Sequence, residues 1–241
     1  MEVGKSGSVG GPVSQPEKGA DPAARPSDDW LVWQLTDSAF PTGGFVHSSG
    51  LEAAWQHGEV RGRDELMLFV EASLEQLGHA TLPFVAAAFD LPGQVVEWDA
   101  LCDVFITNHV ANRASRAQGR AFLSAVERLS NGKMEKRGLE IPFAHFAPVF
   151  GACLRRLGVR RETAMRMFVF NHFRGIFAAA VRLNIIGPME AQLLQHRSAV
   201  KAEKILKQTA TLSLDDIAQT APLMEIWQAA QDRLYSRLFQ S

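Results

Sequence analysis

From Trp30 onward, apolar residues recur every three or four positions along most of the chain, and that period admits helix and little else. The longest stripe is Met165, Phe168, Val169, Phe173, Ile176, Phe177, Ala180 and Leu183. A second, Leu66, Val70, Leu74 and Leu77, follows Asp64 as a possible cap, and a third starts at Trp98, Leu101, Phe105 and Ile106 and resumes at Phe122, Val126 and Leu129. The punctuation agrees: Asn131-Gly132 reads as a turn, Gly187-Pro188 ends one helix and opens the next, and Ser213 with Asp216 has the spacing of a capping box. No stretch alternates apolar and polar residues between hairpin turns in the way a half-buried strand does. The expected fold is all-α, a single compact helical bundle-like domain.

Composition breaks near Trp30. Residues 1–29 hold five Gly, four Pro and four Ser and no apolar cluster, so they are expected to form a disordered arm ahead of a body spanning residues 30–241. The arm lacks the apolar core of a secretory signal and the Arg-rich, acid-poor character of a transit peptide. In the body, the best apolar runs, Phe84 to Phe89 and Ile176 to Val181, are far too short to span a bilayer. A formal net charge of -1 rules out a uniformly basic coat for nucleic acid. Cys102 and Cys153 are too few for a disulfide scaffold or an all-cysteine zinc site, and the default compartment is the cytoplasm. Charge is nevertheless segregated. Residues 50–103 hold ten acidic groups against Arg61 and Arg63, and residues 150–208 hold eleven basic groups against three acidic ones. Such asymmetry either steers charged partners or reflects solvated helix faces of opposite sign.

The densest chemical signal runs from Asp37 to Glu52, where Pro41, Gly43, Gly44 and Gly50 interrupt two helical stretches. The chain must bend tightly there, with a glycine at positive φ. Asp37, Ser38, His47, Ser48, Ser49 and Glu52 crowd the bend and invite a nucleophile-and-base reading, but the Gly-x-Ser-x-Gly elbow is absent, and polar side chains capping helix ends explain the same residues. Gly43-Gly44 lacks the following Gly-Lys-Ser/Thr of a phosphate loop. Seven scattered histidines include no pair at the spacing of a helical zinc site, so neither a metal site nor a resident cofactor is expected, beyond weak or shared binding of a soft-to-borderline metal by exposed histidines at an interface. The segment Tyr235-Ser236-Arg237-Leu238-Phe239-Gln240-Ser241 places large apolar groups beside arginines, a composition that suits either a partner's pocket or packing on the chain's own body.

These residues carry a family resemblance. The segment Gln34 to Glu52, including Asp37, Phe40, Pro41, Gly43, Gly44, His47 and Gly50, resembles the opening motif of the urease accessory protein F family almost throughout. Ser115-Arg116-Ala117-Gln118-Gly119-Arg120 resembles its central element, Pro148-Val149-Phe150-Gly151 its middle one, and Ala180-Val181-Arg182-Leu183 with Gly187 and Gln192 its later helix break. Tyr235 to Ser241 is similar to its terminal Arg-Leu-Phe-x-Ser. Many bacterial members carry His-Glu and Arg where this chain has Gln231-Asp232 and Gln240; with the arm, this points to a eukaryotic-type member.

The resemblance implies a non-enzymatic scaffold that pairs with urease accessory protein D (also called H), dimerises, and recruits the nickel-carrying GTPase, accessory protein G, to apo-urease. On that reading the partner-binding residues are those of the bend, Ser115 and Arg116, and Tyr235, Arg237, Leu238, Phe239 and Ser241, with Phe239 entering a pocket on accessory protein D and Arg237 pairing with carboxylates at its edge. Two other readings stand beside it: a small helical enzyme using His47 as general base with Asp37 or Glu52 orienting it, and a helical adaptor unrelated to urease.

Overall fold

The computed structural model describes Met1, residues 28–130 and residues 141–241. The expected arm, apart from its two ends, and the expected Asn131-Gly132 turn lie outside the described residues. Among these residues ten α-helices follow in order: α1 Asp28–Thr36, α2 Leu51–Gln56, α3 Arg63–Gln76, α4 Leu82–Asp90, α5 Val95–Phe105, α6 His109–Leu129, α7 Phe146–Arg156, α8 Arg161–Arg182, α9 Pro188–Gln208 and α10 Pro222–Ala230. Among the described residues there is no strand, and the fold is all-α. The first helix begins at Asp28, just ahead of the composition break at Trp30.

The centre belongs to α4, α7 and α8. Helix α7 is buried from Ala147 to Leu154, which is what an apolar surface on every side of a helix requires. It presses on α4 so closely that a Cβ on Gly151 would collide with the Val85 carbonyl, so this position admits only glycine. Every member of the α8 stripe read from the sequence is buried. Phe122, Phe146, Phe150 and Phe168 meet edge-on, tilted or stacked at centroid distances of 5.1–5.7 Å, and Phe40 from the bend closes on Phe122 at 6.0 Å. Each such ring contributes on the order of 2 kcal/mol by leaving water.

Helices α3 and α4 form one rod interrupted by a π turn at Leu77–Thr81. Pro83 follows it and has no N–H to offer the carbonyl of His79, four residues earlier; that carbonyl instead accepts the Ala218 N–H at 3.2 Å. The interruption thereby ties residues 217–219 to the rod. Two expectations shift. Gly62, not Asp64, stands at the N-cap of α3, and the buried line of α5 runs through Val95, Asp99 and Cys102, leaving Leu101 exposed. The Ser213–Asp216 capping box forms as read, although it opens a single 3-10 turn.

Candidate functional site

The bend and residues 231–241, about 180 positions apart in sequence, are one structure. Glu52 sits in the first turn of α2, where a helix N-terminus favours negative charge, and only 1% of it is exposed. Its carboxylate accepts the Leu238 N–H at 2.6 Å, the Phe239 N–H at 3.1 Å and the Gln231 side-chain amide at 2.6 Å. Ser48 N–H donates to the Ser241 carbonyl at 2.5 Å, and Gln240 N–H to the Val46 carbonyl at 2.8 Å. The Arg182 guanidinium, from the last turn of α8, lies 4.2 Å from the centroids of both the Phe45 and Phe239 rings and donates to the Phe45 carbonyl at 2.6 Å. A cation between two aromatic faces with a carbonyl at its edge is a strong clasp.

The bend needs left-handed backbone at Gly43 (φ 70°) and Gly50 (φ 86°), while Gly44 has no positive φ. At Gly50 a side chain is excluded twice over, because a Cβ would also come within 2.9 Å of the Gln228 amide nitrogen of α10. His47 Nδ1 meets Ser241 Oγ at 2.5 Å; burial, with the charge of Arg113, lowers the imidazole's pKa to about 4. Asp37 Oδ1 accepts the Ala39 N–H at 2.7 Å, and Pro41 is exposed.

Ser115 and Arg116 belong to a second polar cluster. His145, fully buried ahead of α7, joins Ser115 Oγ (3.1 Å, Nδ1) on α6 to Asp103 (3.0 Å, Nε2) on α5. Burial lowers the His145 pKa against the opposing pull of Asp103. Asp103 is itself held below the usual carboxylate range: hydrogen bonds from Asn112 and His145 and the Arg116 charge outweigh its desolvation. The buried Asp99 accepts three successive backbone N–H groups, from Phe143, Ala144 and His145. Arg116 lies 3.9 Å from Asp103 and 5.2 Å from the Phe143 ring centroid. Ser115 also accepts the Phe146 N–H, so the line Ser115–His145–Asp103 pins α5, α6 and α7 together. The two clusters border one cavity of about 190 Å³, which His47, Ser115 and Ser241 all line.

Several expectations change. Phe239, expected in a partner's pocket, is only 3% exposed and packs on the chain's own body, and Arg237 pairs with Asp232 of the same chain at 3.0 Å. Ser241 and Glu52 are likewise buried by internal contacts, whereas Tyr235 and Leu238 face solvent. The orienting acid that a His47 base requires is not in place: His47 faces Ser241, Glu52 is occupied by residues 231–239, and Asp37 by Ala39. None of Gln231, Asp99 and Arg182 stood out in the sequence as site residues; the charge of Arg182 beside Ala180, Val181 and Leu183 was the readable signal. No group of three or more His, Cys, Asp or Glu side chains suited to a metal ion occurs among the described residues, and no helix there is long and apolar enough to cross a membrane.

Fold and site together define a small all-helical protein whose polar centre binds its own distant segments to one another. The sequence model of the family described as UreF matches residues 60–199, from just ahead of α3 into α9. Urease accessory protein F of Oryza sativa subsp. indica is 38% identical over 219 residues, covering 87% of this chain and 84% of that protein. Its counterpart in Arabidopsis thaliana is 37% identical over 222 residues (88% and 92%), and urease accessory protein UreF of Mycobacterium tuberculosis (strain CDC 1551 / Oshkosh) is 30% identical over 212 (88% and 98%). The chain belongs to the urease accessory protein F family.

Proposed function

We propose that the chain is a non-enzymatic scaffold of urease maturation, a cytoplasmic chaperone that binds accessory protein D/H and the GTPase accessory protein G, acts as a homodimer within that complex, and supports GTP-dependent nickel insertion into apo-urease. Family membership sets the urease role. The observation that carries the scaffold reading is where the polar groups of the bend are spent: Glu52, His47 and the bend amides bond to residues of the same chain, which leaves Phe45, Tyr235 and Leu238 at the surface. Groups so consumed supply shape, and an exterior with exposed aromatic and apolar side chains beside arginines suits a docking partner. Trp30 and Trp33, edge-on at 5.2 Å on α1, add a second exposed aromatic pair.

Reconstitution tests it. Apo-urease, nickel, GTP and accessory proteins D/H and G are combined with and without this chain, and urease activity is measured. Activation should require the chain, and Tyr235→Ala with Leu238→Asp should weaken capture of accessory protein D/H at unchanged helical content. Equal activation without the chain would overturn the reading.

A further inference from the structure

A cavity of about 760 Å³ lies between the bend, α8 and α9, within the size range of small-molecule sites. Two arginines of α8 line it. Arg182 is engaged by Phe45, Phe239 and a backbone carbonyl, as described above. Arg174 is not. Its Nε is buried without a hydrogen-bond partner among the described residues, and its Nη2 reaches Asn171 Oδ1 only at 3.4 Å, the outer edge of hydrogen bonding. Burial lowers its pKa, and Asp37, which also lines the cavity, opposes this through space. Arg174 is only partly buried and has no ion pair among the described residues; its Nε is closed to solvent, so a carboxylate in the cavity pairs with it through the Nη groups. The rest of the lining says which anion. Phe40, Phe168 and Phe177 provide apolar and aromatic wall, and the amides of Gln118, Gln192 and Gln195 stand among them. A bare inorganic ion leaves that wall unused.

We propose that this cavity binds a small organic carboxylate, its charge held by Arg174 and its apolar body against Phe40, Phe168 and Phe177. The proposal goes beyond the maturation role, although bend residues such as Phe40 and Phe45 line the cavity as well. The test follows the arginine Nε–H resonances of the folded full chain by nitrogen-15 NMR during titration with 3-phenylpropanoate, with the neutral 3-phenylpropanamide and inorganic phosphate as controls. A saturable shift of the Arg174 resonance is expected at millimolar carboxylate, with both controls weaker by roughly tenfold or more. The variants lack that resonance, so their binding is read from broadening of the ligand's own proton lines: Arg174→Gln should abolish it while helical content is retained, and Arg174→Lys, which keeps the charge without the planar fork, should weaken it and serves if the glutamine variant does not fold. No saturable shift up to about 10 mM carboxylate, which would exclude even weak binding, overturns the proposal. So does equal binding of the amide or of phosphate, or undiminished binding by a folded variant.

Discussion

Glu52 shows how much one side chain can decide. A carboxylate accepts hydrogen bonds and donates none, so three donors can converge on it; an amide of the same size cannot receive them all. Glu52→Gln should therefore lower unfolding stability by about 2–3 kcal/mol, read from urea midpoints, because hydrogen bonds to a charged group are lost inside the protein. The imidazoles give a pH dependence of definite sign. His47 and His172, the latter hydrogen-bonded to Ser73 at 2.6 Å, have pKa values lowered by burial from the ordinary 6.5 to about 4. The unfolded chain binds a proton on each near pH 6.5 and the folded chain near pH 4, so stability is full above 6.5 and drains as pH falls through that window. Between pH 7.5 and 5.0 the loss should be about 2 kcal/mol for each imidazole, and His172→Gln should remove its share. In the sequence His47 stands out only as a candidate base within the bend, and His172 is a polar letter in a helical stripe. Their burial depends on which distant segment covers them, and single-residue chemistry carries no such information.

Elements were far more readable than sites. The α8 stripe survives intact because eight apolar residues at helical spacing can bury only one way. On α5 the stripe is right in part: Trp98, Phe105 and Ile106 pack half-buried on the core and Leu101 does not, while Asp99 lies on the buried side, where it holds the turn before α7, and a polar letter at a core position defeats a reading by hydropathy. The bend's glycines were visible as a group, but only the packing of α2 beneath α10 separates their roles. Gly43 has open space around the position of a Cβ, so Gly43→Ala should cost only the backbone strain of a left-handed residue, about 1 kcal/mol. Gly50→Ala adds a collision with Trp227 and Gln228 and should cost at least about twice as much, with a correspondingly lower melting temperature.

At the scale of the molecule, the charge asymmetry read along the sequence is partly answered inside the fold. Lys201 pairs with Glu75 at 2.9 Å, Arg161 with Asp90 at 2.9 Å and, with signs reversed, Arg63 approaches Glu190 at 3.8 Å. Each exposed pair contributes little, up to about 1 kcal/mol, but together they spend on internal alignment part of the charge that could steer a partner. Linear sequence could not show this, since the acidic and basic blocks meet only once α3 and α4 lie near α8 and α9. The tail, by contrast, offered two fates, and the fold divides them between neighbours. Phe239→Ala should destabilise by about 3 kcal/mol or more through the cavity it leaves, whereas Leu238→Ala, at an exposed position, should stay within about 0.5 kcal/mol. Matched thermal melts of the two variants distinguish them. The span of the Glu52 clasp also sets a clock on the nascent chain. Leu238, whose amide the carboxylate needs, lies 186 positions downstream. At ribosomal speed that interval is about 10 to 40 s, during which the carboxylate must stay wet and the bend has nothing to close upon. The bend thus waits on residues not yet made, and a translating cell must shelter it until they arrive.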